Sequence, residues 1–245
     1  MSTACVIVIG NEILSGRTQD VNLAWLAVEL NKTGVRLREA RVVPDVPDAI
    51  IKAVNECRAE YDYVFTTGGI GPTHDDITSE CIARAFGVKY TRHKKAEALL
   101  SAHYCKDKLN AARLKMADMP EGATLIPNPV SIAPGYIIGN VYVMAGIPGV
   151  MRAMFEHVRL RLKGGKEVQS VTVSVFLAEG TIAAGLTEVQ NRFSDVEIGS
   201  YPFTKESKFG TSLVARHEDV AKLAEVKDAL LALIKSFGGE LTTEN

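Results

Sequence analysis

The chain has 245 residues, 47% of them apolar, enough for one large domain or a medium domain followed by a small one. Its 28 lysines and arginines against 29 acids leave no net field, so neither nucleic acid nor a membrane is expected as a partner and any anion site must be built locally. The opening MSTACVIVIG has no basic n-region and only a short apolar run, which suits a buried strand rather than a signal peptide or a span, and the expected address is cytoplasmic.

In chain order, ACVIVIG is a continuous apolar run of the kind found in strands buried on both faces. DVNLAWLAVELNKTG follows with Leu23, Leu26, Ala27 and Leu30 at helical spacing and Gly34 as a C′ residue. Next come a strand at about 35–43, a helix in DAIIKAVNECRAE with Ile50, Ile51, Val54 and Cys57 on one face, and the strand YVFTT. A glycine loop then feeds the helix DITSECIARAFG, which ends at Gly87. Helical segments at about 93–105 and 108–118 precede ATLIPNPVSIAPGYIIGNVYVMAGIPGVMRAMFEHV, read as strand, loop, hairpin turning at 139–140, loop and helix. This order predicts an α/β fold with a mainly parallel sheet, helices on both faces, and ligands beyond the carboxyl ends of the strands.

KGGKE, 163–167, reads as a linker, dividing a phosphate-binding domain at 1–163 from a small α+β domain at 168–245. The second part shows a β-α-β-β-α run: a half-exposed strand VQSVTVSVFLAEG, a helix at about 180–193, strands at about 195–201 and 210–216, and the amphipathic helix VAKLAEVKDALLALIKSF. The four cysteines, Cys5, Cys57, Cys81 and Cys105, include no CxxC pair and lie on strand-like or helix-like segments, so they read as reduced thiols rather than disulfides or zinc ligands.

The loop TTGGIGPTHDDIT carries the most chemistry. Gly68, Gly69 and Gly71 permit close backbone approach to an oxyanion, and a helix starting near residue 73 adds a positive dipole end. No lysine follows, so this is not a Walker A loop, and the GxGxxG spacing is absent. Asp75 and Asp76 would repel a diphosphate by several kcal/mol at an effective dielectric of about 20 unless a divalent cation lies between them. The alternative is structural, with Thr73 as N-cap and Asp76 at N3 in a near capping box. His74 reads as a solvated side chain. In GNEILSG, Gly10, Asn11 and Gly16 form a second polar loop on the expected rim, with Glu12 as a candidate second ligand or base, while Asp20 and Asn22 read as helix caps.

IGNEILSGRTQDVN, TTGGIGPTHDDIT, RLKMADMPEGATLIPNPVSIAPG and AGIPGVMRAMF resemble the molybdopterin-binding-like domain of the competence/damage-inducible protein A family, and more closely the N-terminal domain of eukaryotic bifunctional FAD synthases. The resemblance covers about 1–160 and continues through IGSYPF at 198–203 and SLVAR at 212–216, similar to the accessory domain of the same proteins. It implies a three-layer α/β sandwich, shared with molybdopterin adenylyltransferases and gephyrin, and a site for a nucleotide or pterin phosphate, molybdopterin included. It further implies metal-dependent pyrophosphatase activity on ADP-ribose or FAD-like dinucleotides with magnesium, manganese or cobalt, and a homo-oligomer, since relatives form oligomers. Adenylyl transfer in molybdenum cofactor synthesis and capture of a cofactor without turnover are the alternatives.

Residue by residue, Gly68, Gly69, Gly71 and Asp76 match the family's glycine loop, and Gly10, Glu12 and Gly16 its first loop, with Asn11, Pro72 and Thr73 beside them as further candidate cofactor-binding residues. Asn128 and Pro129 match the NP turn, Pro134 and Gly135 the PG after it, and Pro148 and Gly149 the last loop. Met151 and Ala153 depart from the pattern, which has proline and glutamate there, and the missing glutamate weighs against hydrolysis but not against binding. With the chain ending at Asn245, neither an amidohydrolase nor an FAD-forming adenylyltransferase domain is expected.

Overall fold

The computed structural model describes residues 2–205 and 207–242. The chain forms two compact units, Met1–Gly165 and Lys166–Asn245. In the first, β1 (Thr3–Ile9) is followed by a single turn, α1 (Asn11–Leu14), then α2 (Asn22–Lys32), β2 (Arg36–Val43), α3 (Pro47–Glu60) and β3 (Tyr63–Thr67). After the glycine loop come α4 (Thr78–Phe86), β4 (Tyr90–Arg92), α5 (Lys94–His103), α6 (Ala111–Lys115) and β5 (Asp118–Pro120). The unit ends with β6 (Thr124–Ile126), β7 (Gly135–Ile138), β8 (Val141–Met144) and α7 (Pro148–Arg159).

The main sheet has the order β2-β1-β3-β8-β7-β6. β2, β1, β3 and β8 are parallel, and β7 runs antiparallel between β8 and β6. Because alternate side chains of a strand point to opposite faces, β1 splits its apolar run between two cores. Cys5, Ile7 and Ile9 pack with Ile50, Val54 and Cys57 of α3 and Cys81 and Ile82 of α4. Ala4, Val6 and Val8 pack with Leu26 and Leu30 of α2 and Met151, Met154 and Phe155 of α7. The result is the three-layer sandwich. The chain leaves β1 to one side to make β2 and returns past it to make β3, so the order reverses between β1 and β3, where doubly wound sheets place their ligands.

Three local expectations need correction. α4 begins at Thr78 rather than near 73, with residues 70–76 forming turns. The expected helix at 108–118 is only Ala111–Lys115, because Asp118–Pro120 leaves it to pair with Tyr90–Arg92 as a two-stranded ribbon. The polar loop after β1 contains the helical turn α1.

In the second unit, β9 (Gln169–Val175), α8 (Glu179–Arg192), β10 (Glu197–Lys205), β11 (Lys208–His217) and α9 (Val220–Ser236) form an antiparallel sheet of order β10-β11-β9 with its helices on one face. Val173, Val175, Leu213 and Ala215 pack there against Ile182, Val226, Leu230 and Ile234. The Asp219 carboxylate accepts from the Ala221 and Lys222 amides and so fixes the start of α9. Among the described residues, no helix is long and apolar enough to cross a membrane.

Candidate functional site

Three loops leave the carboxyl ends of adjacent strands: residues 10–21 after β1, 68–77 after β3 and 145–147 after β8. They meet backbone to backbone. Gly68 has φ +102°, and a Cβ on it would collide with the Ile9 carbonyl oxygen; one on Gly146 would come within 3.2 Å of the Gly68 Cα. Side chains at either position would push the loops apart, so these glycines keep the rim closed on itself.

The cleft bounded by these loops is lined by Glu12, Asp20, Asn22, Thr67, Gly68, Gly146 and Pro148 among others. Asn22 is 4% exposed, and its Nδ2 donates to the Gly146 carbonyl at 2.7 Å, tying the start of α2 to the β8 loop. Its Oδ1 has no partner among the described residues, and neither does Thr67 Oγ1, on a residue 1% exposed. Asp20 Oδ1 accepts from the Leu23 amide at 2.8 Å, the capping role read from the sequence. Asn22 is not a cap: it is the first residue of α2, and its side chain bonds across to Gly146 instead of to a helix amide. Both Asp20 and Asn22 line the cleft, which sequence reasoning missed. The signal for them was the polar pair Asp20 and Asn22 at a helix start on the ligand rim.

The glycine loop continues away from this cleft. Gly69 has φ +67°, and a Cβ there would overlap Thr78 Oγ1. That hydroxyl donates to the Gly68 carbonyl at 3.0 Å, while the Thr78 amide donates to the Gly69 carbonyl at 3.0 Å. Asp76 Oδ2 accepts from the Thr73 amide at 2.8 Å and the Thr73 hydroxyl at 2.5 Å, closing a turn over Gly71. Thr73 is therefore not an N-cap, and the capping-box reading of Thr73 and Asp76 fails because the helix starts two residues beyond Asp76. Lys115 Nζ donates to the Thr73 carbonyl at 2.6 Å. Asp76, Gly71 and Pro134 line a neighbouring crevice with Ser79, Lys115 and Asp118. Asp75 and Pro72 are exposed, and Asp75 Oδ1 lies 4.0 Å from the Nδ1 of fully exposed His74.

The remaining expected contacts divide between rim and scaffold. Gly10 sits beneath the Glu12 carboxylate, where a Cβ would be 2.5 Å from its oxygens. The Asn11 amide donates to Asp45 Oδ2 at 2.8 Å, and Gly16 closes the turn after α1. Asn128 is buried with its amide saturated: Oδ1 accepts from the Val130 and Ser131 amides and Nδ2 donates to Ser131 Oγ and the Ala133 carbonyl. It shapes the NPVSIAPG loop from within. Gly135 lets β7 approach the Val143 carbonyl, and Gly149 lies in the open first turn of α7. Pro129 is exposed at the loop tip. Met151 is wholly buried among α2 and α7 side chains, so that position faces the core and not the rim.

The donors around the first cleft are hard oxygens, carboxylate, amide and hydroxyl, which suit magnesium or manganese. Among the described residues, the one trio of His, Cys, Asp or Glu with ligand atoms within 4.8 Å of one another is Cys5, Glu39 and Cys57; Glu12, Asp75 and Asp76 are not such a trio.

A switch-point cleft closed by glycines, lined by Asn22 and Thr67 with their unpartnered oxygens, fits a small-molecule ligand. Residues 5–163 match the family described as probable molybdopterin binding domain, and 167–238 match the FAD synthase middle domain. The chain belongs to the molybdopterin-binding domain family. An Archaeoglobus fulgidus protein is 39% identical over 197 residues, covering 80% of this chain and 84% of its own length. A Pyrobaculum aerophilum protein is 35% identical over 255 residues, covering 97% and 96%. A Caenorhabditis elegans protein named probable FAD synthase is 32% identical over 258 residues, covering 95% of this chain and 50% of the worm protein, so the chain spans half of that relative. The crystal structure of CinA from Thermoplasma acidophilum, described as of unknown function, has a TM-score of 0.62 at 35% identity over 65% of this chain and 97% of that chain.

Proposed function

We propose that the chain binds a phosphate-bearing nucleotide or pterin in the cleft at the carboxyl ends of β1, β3 and β8, and hydrolyses the diphosphate of FAD-type or ADP-ribose-type dinucleotides with the help of a divalent metal. The observation that carries this reading is the pair of buried, unpartnered oxygens, Asn22 Oδ1 and Thr67 Oγ1. Each such group costs about 1–3 kcal/mol when left unsatisfied, a cost that a polar ligand would remove. The family match and the relatives named FAD synthase support a pterin or flavin nucleotide over other small molecules.

Gly68 and Gly69 would bring backbone against the phosphates, and α7, whose first turn carries no acid, would turn its positive end toward them. Glu12 and Asp20 in the cleft, or Asp75 and Asp76 on the glycine loop beside it, are the carboxylate pairs that would hold the metal, which when bound supplies charge neutralisation at the diphosphate. Glu12 would accept the proton of a water whose oxygen forms the new bond to phosphorus. The bridging P–O bond then breaks and AMP leaves as one of two phosphate products. Ala153, which puts no carboxylate where the family pattern has glutamate, favours a second reading, capture of the cofactor without turnover. Incubation of the full chain with FAD, ADP-ribose, NAD or molybdopterin and magnesium, manganese or cobalt separates them. AMP release that stops on chelation supports hydrolysis; tight binding with intact ligand supports capture; with molybdopterin and ATP together, AMP appearing on the pterin with release of pyrophosphate identifies adenylyl transfer.

A further inference from the structure

We propose that Cys5 and Cys57 form an intramolecular disulfide that ties β1 to the last turn of α3. The two sulfurs lie 3.0 Å apart in the core, inside ordinary sulfur–sulfur contact, and both residues are 0% exposed. The packing of two apolar faces brings them together. Cys5 shares the face of β1 that carries Ile7 and Ile9, and Cys57 shares the face of α3 that carries Ile50 and Val54, the two faces that pack together. Cys81 is as deeply buried but has no thiol beside it, and burial pushes it up to about 11. Cys105 is exposed.

Glu39 lies close enough to suggest a metal site, but its carboxylate is already engaged. Oε1 accepts from Arg41 Nε at 2.6 Å and Oε2 from the Tyr61 hydroxyl at 2.8 Å. The cluster also offers three ligands, where a structural zinc takes four. Two free thiols facing each other suit a cross-link better. Cys5 holds its proton well above the usual thiol range through its hydrogen bond to Cys57 and through burial. Cys57 is lowered by that same bond and by Arg41, and so ionises first.

The Cys57 thiolate attacks a small-molecule disulfide such as oxidised glutathione, forming a mixed disulfide and releasing one thiolate. Cys5 then attacks the Cys57 sulfur, displaces the second thiolate and gives up its proton. Two protein thiols are oxidised and one small disulfide is reduced to two thiols. Since both sulfurs are buried, exchange takes place while α3 opens from β1, and the same two steps balance whichever thiol attacks first.

The test uses the full chain carrying Cys105→Ala, unfolded and refolded with oxidised glutathione or with a reductant. The expected result is a mass lower by two hydrogens after oxidative refolding, and a non-reduced peptide map joining the Cys5 and Cys57 peptides. Closing a span of 52 residues should raise the melting temperature by about 10 °C over the reduced protein. Cys5→Ala and Cys57→Ala should each abolish that difference, whatever their own baseline. Retention of three free thiols, a glutathione adduct without the cross-link, equal melting temperatures, or stoichiometric zinc lost on chelation would each overturn the proposal.

Discussion

Replacing Thr67 with valine separates a ligand-directed hydroxyl from a merely structural one. The substitution keeps the branched shape and leaves the pairing of residue 67 with Val8 and Met144 intact, so β3 should hold its place. It removes a buried oxygen that has no partner among the described residues. An unsatisfied buried polar group costs about 1–3 kcal/mol, and at roughly 2–4 °C per kcal/mol the ligand-free variant should melt at the same temperature or up to about 10 °C higher. Binding should move the opposite way. A hydrogen bond to a charged ligand group is worth about 1.5–3 kcal/mol, so affinity for ADP-ribose should fall about 10- to 100-fold. Differential scanning calorimetry without ligand and isothermal titration with ADP-ribose read the two effects. A lower melting temperature with unchanged affinity would refute the reasoning, because it would give the hydroxyl a structural partner and no part in binding.

Asp76→Asn keeps an oxygen that can accept from Thr73, so the melting temperature should hold, while metal-dependent turnover should drop at least about tenfold, equivalent to roughly 1.4 kcal/mol of lost charge stabilisation. Gly69→Ala should lower the melting temperature, since φ +67° and the overlap with Thr78 Oγ1 together should cost about 2 kcal/mol, read by thermal denaturation. Residues 1–165 expressed alone should fold and bind as the full chain does, whereas a fragment ending at 163 should melt lower, because the Gly165 amide donates to the Gly34 carbonyl at 2.9 Å. Asp62 is held below the usual carboxylate range by the Thr3 amide and hydroxyl, so its contribution to stability is present above about pH 3.9 and is lost as pH falls through the lower folded value. Asp62→Asn should flatten the stability profile in that acid window, measured by denaturant titration.

Where local pattern and tertiary demand agree, the fold is legible in the sequence. The buried run in β1, the faces of α2 and α3, and Gly87 closing α4 at φ +65° all follow from period and turn chemistry. The start of α4 was misread because Thr73 and Asp76 have the spacing of a cap. The positive φ of Gly68 and Gly69 instead turns the chain, and Thr78 reaches back to the Gly68 carbonyl, so the helix starts later. The β4–β5 ribbon was hidden because each strand is three residues long and finds its partner far along the chain. In the site, the glycines announced the rim, but the orphaned oxygens of Asn22 and Thr67 emerge only when burial and partners are known. Nor can spacing alone pair Cys5 with Cys57, since contact across 52 residues is a property of packing.

Binding in the β1–β3–β8 cleft is tested by a crystal structure of the full chain grown with ADP-ribose and manganese, with the metal located by anomalous scattering. The diphosphate should lie against Gly68 and Gly69, with a polar ligand group within hydrogen-bond reach of Asn22 Oδ1 or Thr67 Oγ1 and the anomalous peak beside Glu12, Asp20, Asp75 or Asp76. Ligand bound instead along the groove that includes Lys94, Lys95 and Glu121, with the β1–β3–β8 cleft empty, would contradict it.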